Sequence, residues 1–155
     1  MPATILPLTE DDLEEASKLC MRSKAHWGYD AAFMAMCRDE LTFRPADLGS
    51  GSSVGLWDCD ALLGVAQLIW DDTNWELEKL FVDPLAMGSG IGRQLFAWAV
   101  ATVGGRGGET LSIAADPHSA AFYRTMGAQD AGRVPSASIS GRSLPLLRYE
   151  VCAAT

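Results

Sequence analysis

Two rhythms of apolar residues run along the chain. In "LTEDDLEEASKLCMRS" the apolar positions Leu13, Ala16, Leu19 and Cys20 recur with the period of a helix face. Thr9 stands where a cap belongs, and Glu10, Asp11 and Asp12 suit the positive end of that helix. A short strand, Ala3 to Pro7, precedes it. "KAHWGYD" breaks the pattern and reads as a loop. Asp30 then caps a second helix to about Glu40, with Phe33, Met34 and Cys37 on its apolar face. "RPADLGSGSS" is a loop of turn formers. The rhythm then shortens. "SVGLWDCDALLGVAQLIWDDTNWELEKLFVD" reads as three strands with turns near Cys59–Asp60 and Asp72–Asn74, close enough together for antiparallel neighbours. The stretch Gly88 to Val103 opens and forms a helix that stops at Gly104 and Gly105. "ETLSIAAD" is a fifth strand. Asp116, Pro117 and Gly127 frame one more helix, and two strands follow between residues 129 and 151.

The resulting order is β-α-α-β-β-β-α-β-α-β-β. Its natural packing is an α/β (α+β) mixed sheet with helices on both faces. No repeat or long linker divides the chain, so residues 1–155 are expected to form one domain. Hydrophobic residues make up 48% and charged residues 21%, enough to build a core. No apolar run is long enough to span a bilayer, and the first residues do not read as a signal peptide. The net charge of -8 opposes nucleic acid and anionic membrane as partners and suits a cationic acceptor such as an amine. Cys20, Cys37, Cys59 and Cys152 are scattered without a CxxC pair, and there are two histidines, His26 and His118. The expectation is no metal, and reduced thiols in a cytoplasmic protein.

"FVDPLAMGSGIGRQLF" places Gly88, Gly90 and Gly92 between a strand and a helix. N–H groups at a helix start form an anion site, and glycines let phosphate oxygens approach. A P-loop needs GK and then Ser or Thr, whereas Gly92 is followed by Arg93-Gln94. The dinucleotide fingerprint needs G-x-G-x-x-G, and here the spacing is G-x-G-x-G. A plain tight turn would need only one or two glycines.

These residues resemble the acetyl-CoA signature of the GNAT superfamily of N-acetyltransferases. The family pattern is a strand ending in Val-x-Pro, then Arg/Gln-x-x-Gly-x-Gly/Ala, then a helix. It falls here on Val82, Pro84, Met87, Gly88, Ser89, Gly90, Ile91 and Gly92. Met87 stands where the family usually has Gln or Arg. "DPHSAAFYRTMGA" is similar to the family's N-x-x-A-x-x-F-Y-x-x-x-G-F. Asp116 takes the Asn place, Ser119 the first Ala place and Ala128 the last Phe place, while Phe122, Tyr123 and Gly127 match. With the element order, the resemblance covers nearly the whole chain.

The resemblance implies the GNAT fold, with a mostly antiparallel sheet of about seven strands and about four helices. It also implies an enzyme that moves an acetyl group from acetyl-CoA, its cosubstrate, to a primary amine by direct attack in a ternary complex. A non-catalytic acyl-CoA sensor is the alternative. The N–H groups of Gly88 to Arg93 are then expected to hold the pyrophosphate. Leu80, Phe81 and Val82 would pair with the pantetheine arm, and Asp116 would also face the cofactor. Arg93 either adds a cation or is a surface residue.

Tyr123 is the expected acid for the departing thiolate, since a phenol titrates at about 10 and a thiol at about 8.5. Glu76 is the preferred base, with Glu78 beside it. An unbroken strand puts both on one face, and a bulge separates them. His26, Trp27 and Tyr29 lie where relatives build the acceptor pocket, although packing of the loop is the plainer role for Trp27. The acceptor is a small-molecule or peptide amine. Dimers are common in the family, so a homodimer is allowed.

Overall fold

The structure, a computed structural model, describes residues 3–71 and 74–151. Cys152, and Asp72 of the turn expected near Asp72–Asn74, lie outside the described residues. Seven strands and four α-helices follow the expected order. They are β1 (Thr4–Pro7), α1 (Leu13–Ala25), α2 (Ala31–Leu41), β2 (Ser53–Asp58), β3 (Ala61–Trp70), β4 (Trp75–Val82), α3 (Ile91–Gly105), β5 (Thr110–Ala114), α4 (Ala120–Thr125), β6 (Gln129–Pro135) and β7 (Ser143–Glu150).

The helix ends show how local chemistry sets the boundaries. A 3-10 turn, Glu10–Asp12, leads into α1. The cap there works through Asp12. Its carboxylate accepts the Thr9 N–H at 2.8 Å and the Thr9 hydroxyl at 3.0 Å, so Thr9 donates where a capping threonine usually accepts. Asp30 caps α2 as expected, accepting the Phe33 N–H at 2.8 Å. The third helix begins at Ile91, within the glycine stretch, because Gly88 and Gly90 adopt positive φ of 82° and 87°. Its other end includes Gly104 and Gly105 and closes one turn later. The Gly108 N–H reaches Val103 C=O at 2.8 Å and the Gly107 N–H reaches Gly104 C=O at 3.1 Å, a Schellman closure around Gly107.

The sheet runs β1-β2-β3-β4-β5-β7-β6. The pairs β1·β2, β2·β3, β5·β7 and β6·β7 are antiparallel, and β4·β5 is parallel. The parallel register holds Trp75↔Leu111 and Glu76↔Ser112, while β4 continues to Val82. Cys59, at φ 55°, turns the tight hairpin that joins Asp58 to Ala61.

The chain gathers into two compact units, Met1–Gln67 with Lys79–Phe96, and Leu68–Glu78 with Ala97–Thr155. In the first unit β3 buries both its faces. A Cβ on Gly64 would come within 2.8 Å of Leu95 and 2.9 Å of Ile91, so α3 covers that side at glycine distance. Gln67, three residues on and so on the other face, accepts instead from Lys79, whose ammonium lies over the Phe43 ring. The core of the second unit holds Trp75, Leu77, Val103, Leu111, Ile113 and Leu147.

Candidate functional site

In the first unit, the glycine loop is built from β4 outward. The Asp83 N–H donates to Leu63 C=O at 2.8 Å, which fixes the strand end. The Asp83 carboxylate accepts the Leu85 N–H at 3.0 Å and the Arg22 guanidinium at 2.8 Å. Burial raises the tendency of this carboxyl to protonate, but the Leu85 N–H and Arg22 together outweigh it and hold the carboxyl below its ordinary value. A 3-10 turn, Pro84–Ala86, follows, and the Ser89 hydroxyl donates to the Ala86 carbonyl. Met87 is extended, with ψ 143°.

The first intrahelical bond of α3 runs from the Gln94 N–H to Gly90 C=O at 3.1 Å. The N–H groups of Ile91, Gly92 and Arg93 therefore precede the ladder and have no acceptor within the helix. A Cβ built on Gly88 or Gly90 meets nothing within 4 Å, so the space over both is open. The first turn carries no acidic residue. Arg93 is exposed there and has no ion-pair partner among the described residues. A cation at the positive end of a helix is unfavourable by itself and becomes favourable beside an anion. The loop thus fits a pyrophosphate group on two counts, open donors and an unpaired arginine.

The same unit holds the expected acceptor loop. His26 and Trp27 meet edge to face at 5.0 Å, and Tyr29 stacks on Phe33 at 4.0 Å and 12°. Lys24 stands 5.6 Å from the Tyr29 ring centroid and 5.9 Å from that of Phe33. The loop follows directly from α1, since the His26 N–H bonds to Arg22 C=O at 3.1 Å. Leu80, Phe81 and Val82 are half-buried on β4.

Glu76, Asp116 and Tyr123 belong to the second unit. Glu76 is half-buried opposite Ser112, and Glu78 is exposed. Ser112 is tied to Asn74, whose Nδ2 donates to its hydroxyl at 3.1 Å. Tyr123 is 6% exposed, and burial pushes its phenol above the ordinary value. Its ring meets Phe122 edge to face at 5.1 Å. Asp116 accepts the His118 N–H at 2.9 Å and pairs with Arg142 at 3.7 Å.

Sequence reasoning missed Arg22, Asp83 and Arg142. An aspartate just before Pro84 is a signal for the local cap. Nothing local announces Arg142, which comes from the β6–β7 connection.

A family model described as an acetyltransferase (GNAT) domain matches residues 21–134. Comparison with curated proteins by sequence finds no match. Among solved structures, a PaiA N-acetyltransferase from Thermoplasma acidophilum in complex with coenzyme A is similar at 15% identity. The alignment covers 97% of this chain and 99% of that one, with a TM-score of 0.77. The ribosomal-protein-S18-alanine N-acetyltransferase of Escherichia coli is 20% identical over 99% and 97% of the two chains, with a TM-score of 0.71. An aminoglycoside 6'-N-acetyltransferase complexed with coenzyme A is 18% identical over 100% and 99%, also with a TM-score of 0.71.

Proposed function

Since the chain belongs to the GNAT acetyltransferase family, we propose that it transfers an acetyl group from acetyl-CoA to a primary amine by direct attack. The observation that carries this reading is the Gly88–Gly90 turn, with open space over it and free N–H donors behind it. Similar folds solved with coenzyme A lend support. The N–H groups of Gly88 to Arg93 hold the pyrophosphate, Arg93 adds charge, and the backbone of Leu80 to Val82 aligns the pantetheine arm. The bound cosubstrate supplies the activated acetyl thioester. Glu76, acting through water, takes the proton that the attacking nitrogen sheds. Tyr123 gives its proton to the leaving sulfur. The loop His26, Trp27 and Tyr29 faces the acceptor, a small-molecule or peptide amine.

The same loop would serve a non-catalytic acyl-CoA sensor, the rival that the departures from the family pattern at Met87 and Asp116 leave standing. Thermal shift with acetyl-CoA tests both readings, and no stabilisation at saturation removes both. Thiol release over a panel of amines separates them, because a sensor releases none.

Met87→Arg restores the side chain that relatives carry. It is expected to tighten acetyl-CoA roughly three- to tenfold at low salt, with the gain shrinking as salt rises. Calorimetric titration at two salt concentrations checks it, and an unchanged affinity denies that position any phosphate contact.

A further inference from the structure

Beneath α1, the strands β3 and β4 carry a charge that the chain leaves without a counter-ion. Lys79 is 6% exposed and Gln67 4%. The Lys79 ammonium donates to Gln67 Oε1 at 2.9 Å and stands 4.9 Å from the centroid of the Phe43 ring. An ammonium has three protons to donate, and the Gln67 amide nitrogen has two more. Among the described residues no carboxylate pairs with Lys79 and no acceptor takes the Gln67 amide protons. Cys20 on α1 feels the Lys79 charge, but burial outweighs it and pushes the thiol up to about 12. It therefore stays neutral and supplies no anion. A buried cation without an anion is costly, and the cost falls when a ligand brings one.

We infer that the acetyl acceptor carries a carboxylate as well as its amine, and that Lys79 and Gln67 receive that carboxylate. The inference rests on the acetyltransferase reading for its place. Lys79 immediately precedes Leu80 to Val82, the backbone assigned to the cosubstrate, and α1 leads into the His26–Tyr29 loop. The charge selects the chemistry. One positive charge beside a neutral NH2 offers several donors to a planar group with two oxygens and one negative charge. A phosphate dianion would leave half its charge unmet. The Phe43 ring, itself buried, gives the ammonium an apolar and π-rich wall on one side.

The test uses matched amines with and without the carboxylate, followed by thiol release. The pairs are 4-aminobutyrate and propylamine, 6-aminohexanoate and pentylamine, and alanine and ethylamine. In at least one pair the carboxylate member should lead by roughly 30-fold or more in kcat/KM. Lys79→Met should remove that lead, falling far more on the carboxylate than on the plain amine. This variant keeps the apolar stem and sheds an unpaired charge, so it should fold. Gln67→Glu gives Lys79 a carboxylate of its own. It should also abolish the lead, and raise Tm. Equal rates within every wild-type pair overturn the proposal, as does an equal loss for both members in the variants. Calorimetry of the same compounds on the CoA-loaded protein reads binding without turnover. Carboxylate-selective binding that Lys79→Met removes, with no thiol release from any amine, upholds the site and defeats the acetyltransfer reading instead. No selective binding overturns the site whatever the turnover.

Discussion

Phenylalanine at position 123 is expected to lower kcat roughly 100-fold and to leave acetyl-CoA affinity within about threefold. The change removes one hydroxyl and keeps the ring, so the edge-to-face contact with Phe122 survives. On the proposed mechanism, what is lost is the proton donor for the departing sulfur. Burial raises the phenol above the ordinary value near about 10, so the proton stays on throughout the neutral range. The same burial makes the phenol a weaker acid, and its help grows only as charge builds on sulfur. A fall in rate between about pH 7 and 9 would therefore belong to another group. The sign for stability follows from the raised value. The neutral phenol contributes stability that is complete below the unfolded value of about 10 and is lost as pH rises above it. Wild-type Tm should thus drop faster than that of Tyr123→Phe in this alkaline window. Thiol release at saturating acetyl-CoA reads the first effect, and an unchanged kcat rejects Tyr123 as the acid.

Alanine at both Gly88 and Gly90 should raise the acetyl-CoA dissociation constant roughly 100-fold or more. Tm should fall by roughly 4–10 °C. The added methyl groups meet nothing within 4 Å, so the cost lies in the backbone. A side chain at φ 82° or 87° costs about 1–2 kcal/mol. The loop sheds that strain by leaving the left-handed region, and its N–H groups then turn away from the position proposed for the pyrophosphate. Each hydrogen bond to a charged group contributes about 1.5–3 kcal/mol, so losing two accounts for the expected change. Gly49→Ala, also facing open space but without positive φ, is the control and should alter neither quantity. Wild-type affinity in the double variant would remove the loop from the binding site.

Most of the fold was legible because burial writes itself as periodicity. Leu13, Ala16, Leu19 and Cys20 announced α1, and Asp30 announced the start of α2 with a single side chain. The β4 residues were harder. In "WELEKLF" the two-residue alternation puts Lys79 on the same face as Trp75 and Leu77, a charge at an otherwise apolar position. Its burial depends on Gln67 and Phe43, which come from elsewhere in the chain. The same strand left Glu76 and Glu78 equivalent on paper, and the structure half-buries the first and exposes the second. Asp116 read as a helix cap, but α4 starts at Ala120 with Ser119 at its N-cap, and the Asp116 Oδ1 serves the His118 N–H in the turn before it. Its partner Arg142 arrives through a turn that no local pattern encodes. The signature glycines were legible as a group. That the helix begins between Gly90 and Gly92 depends on the two backbone angles at Gly88 and Gly90.

The two compact units interleave in the chain, and this bears on how the protein emerges from the ribosome. The first unit needs residues up to Phe96 before its last segment exists. By then the chain has also delivered Leu68–Glu78, which belongs to the second unit. Trp75, buried in the finished protein beside Val103 and Gly108, waits in that interval for partners not yet synthesised. The nascent chain therefore exposes a sticky strand in the middle of a half-made protein. The shortest fragment containing all of the first unit carries that strand with it.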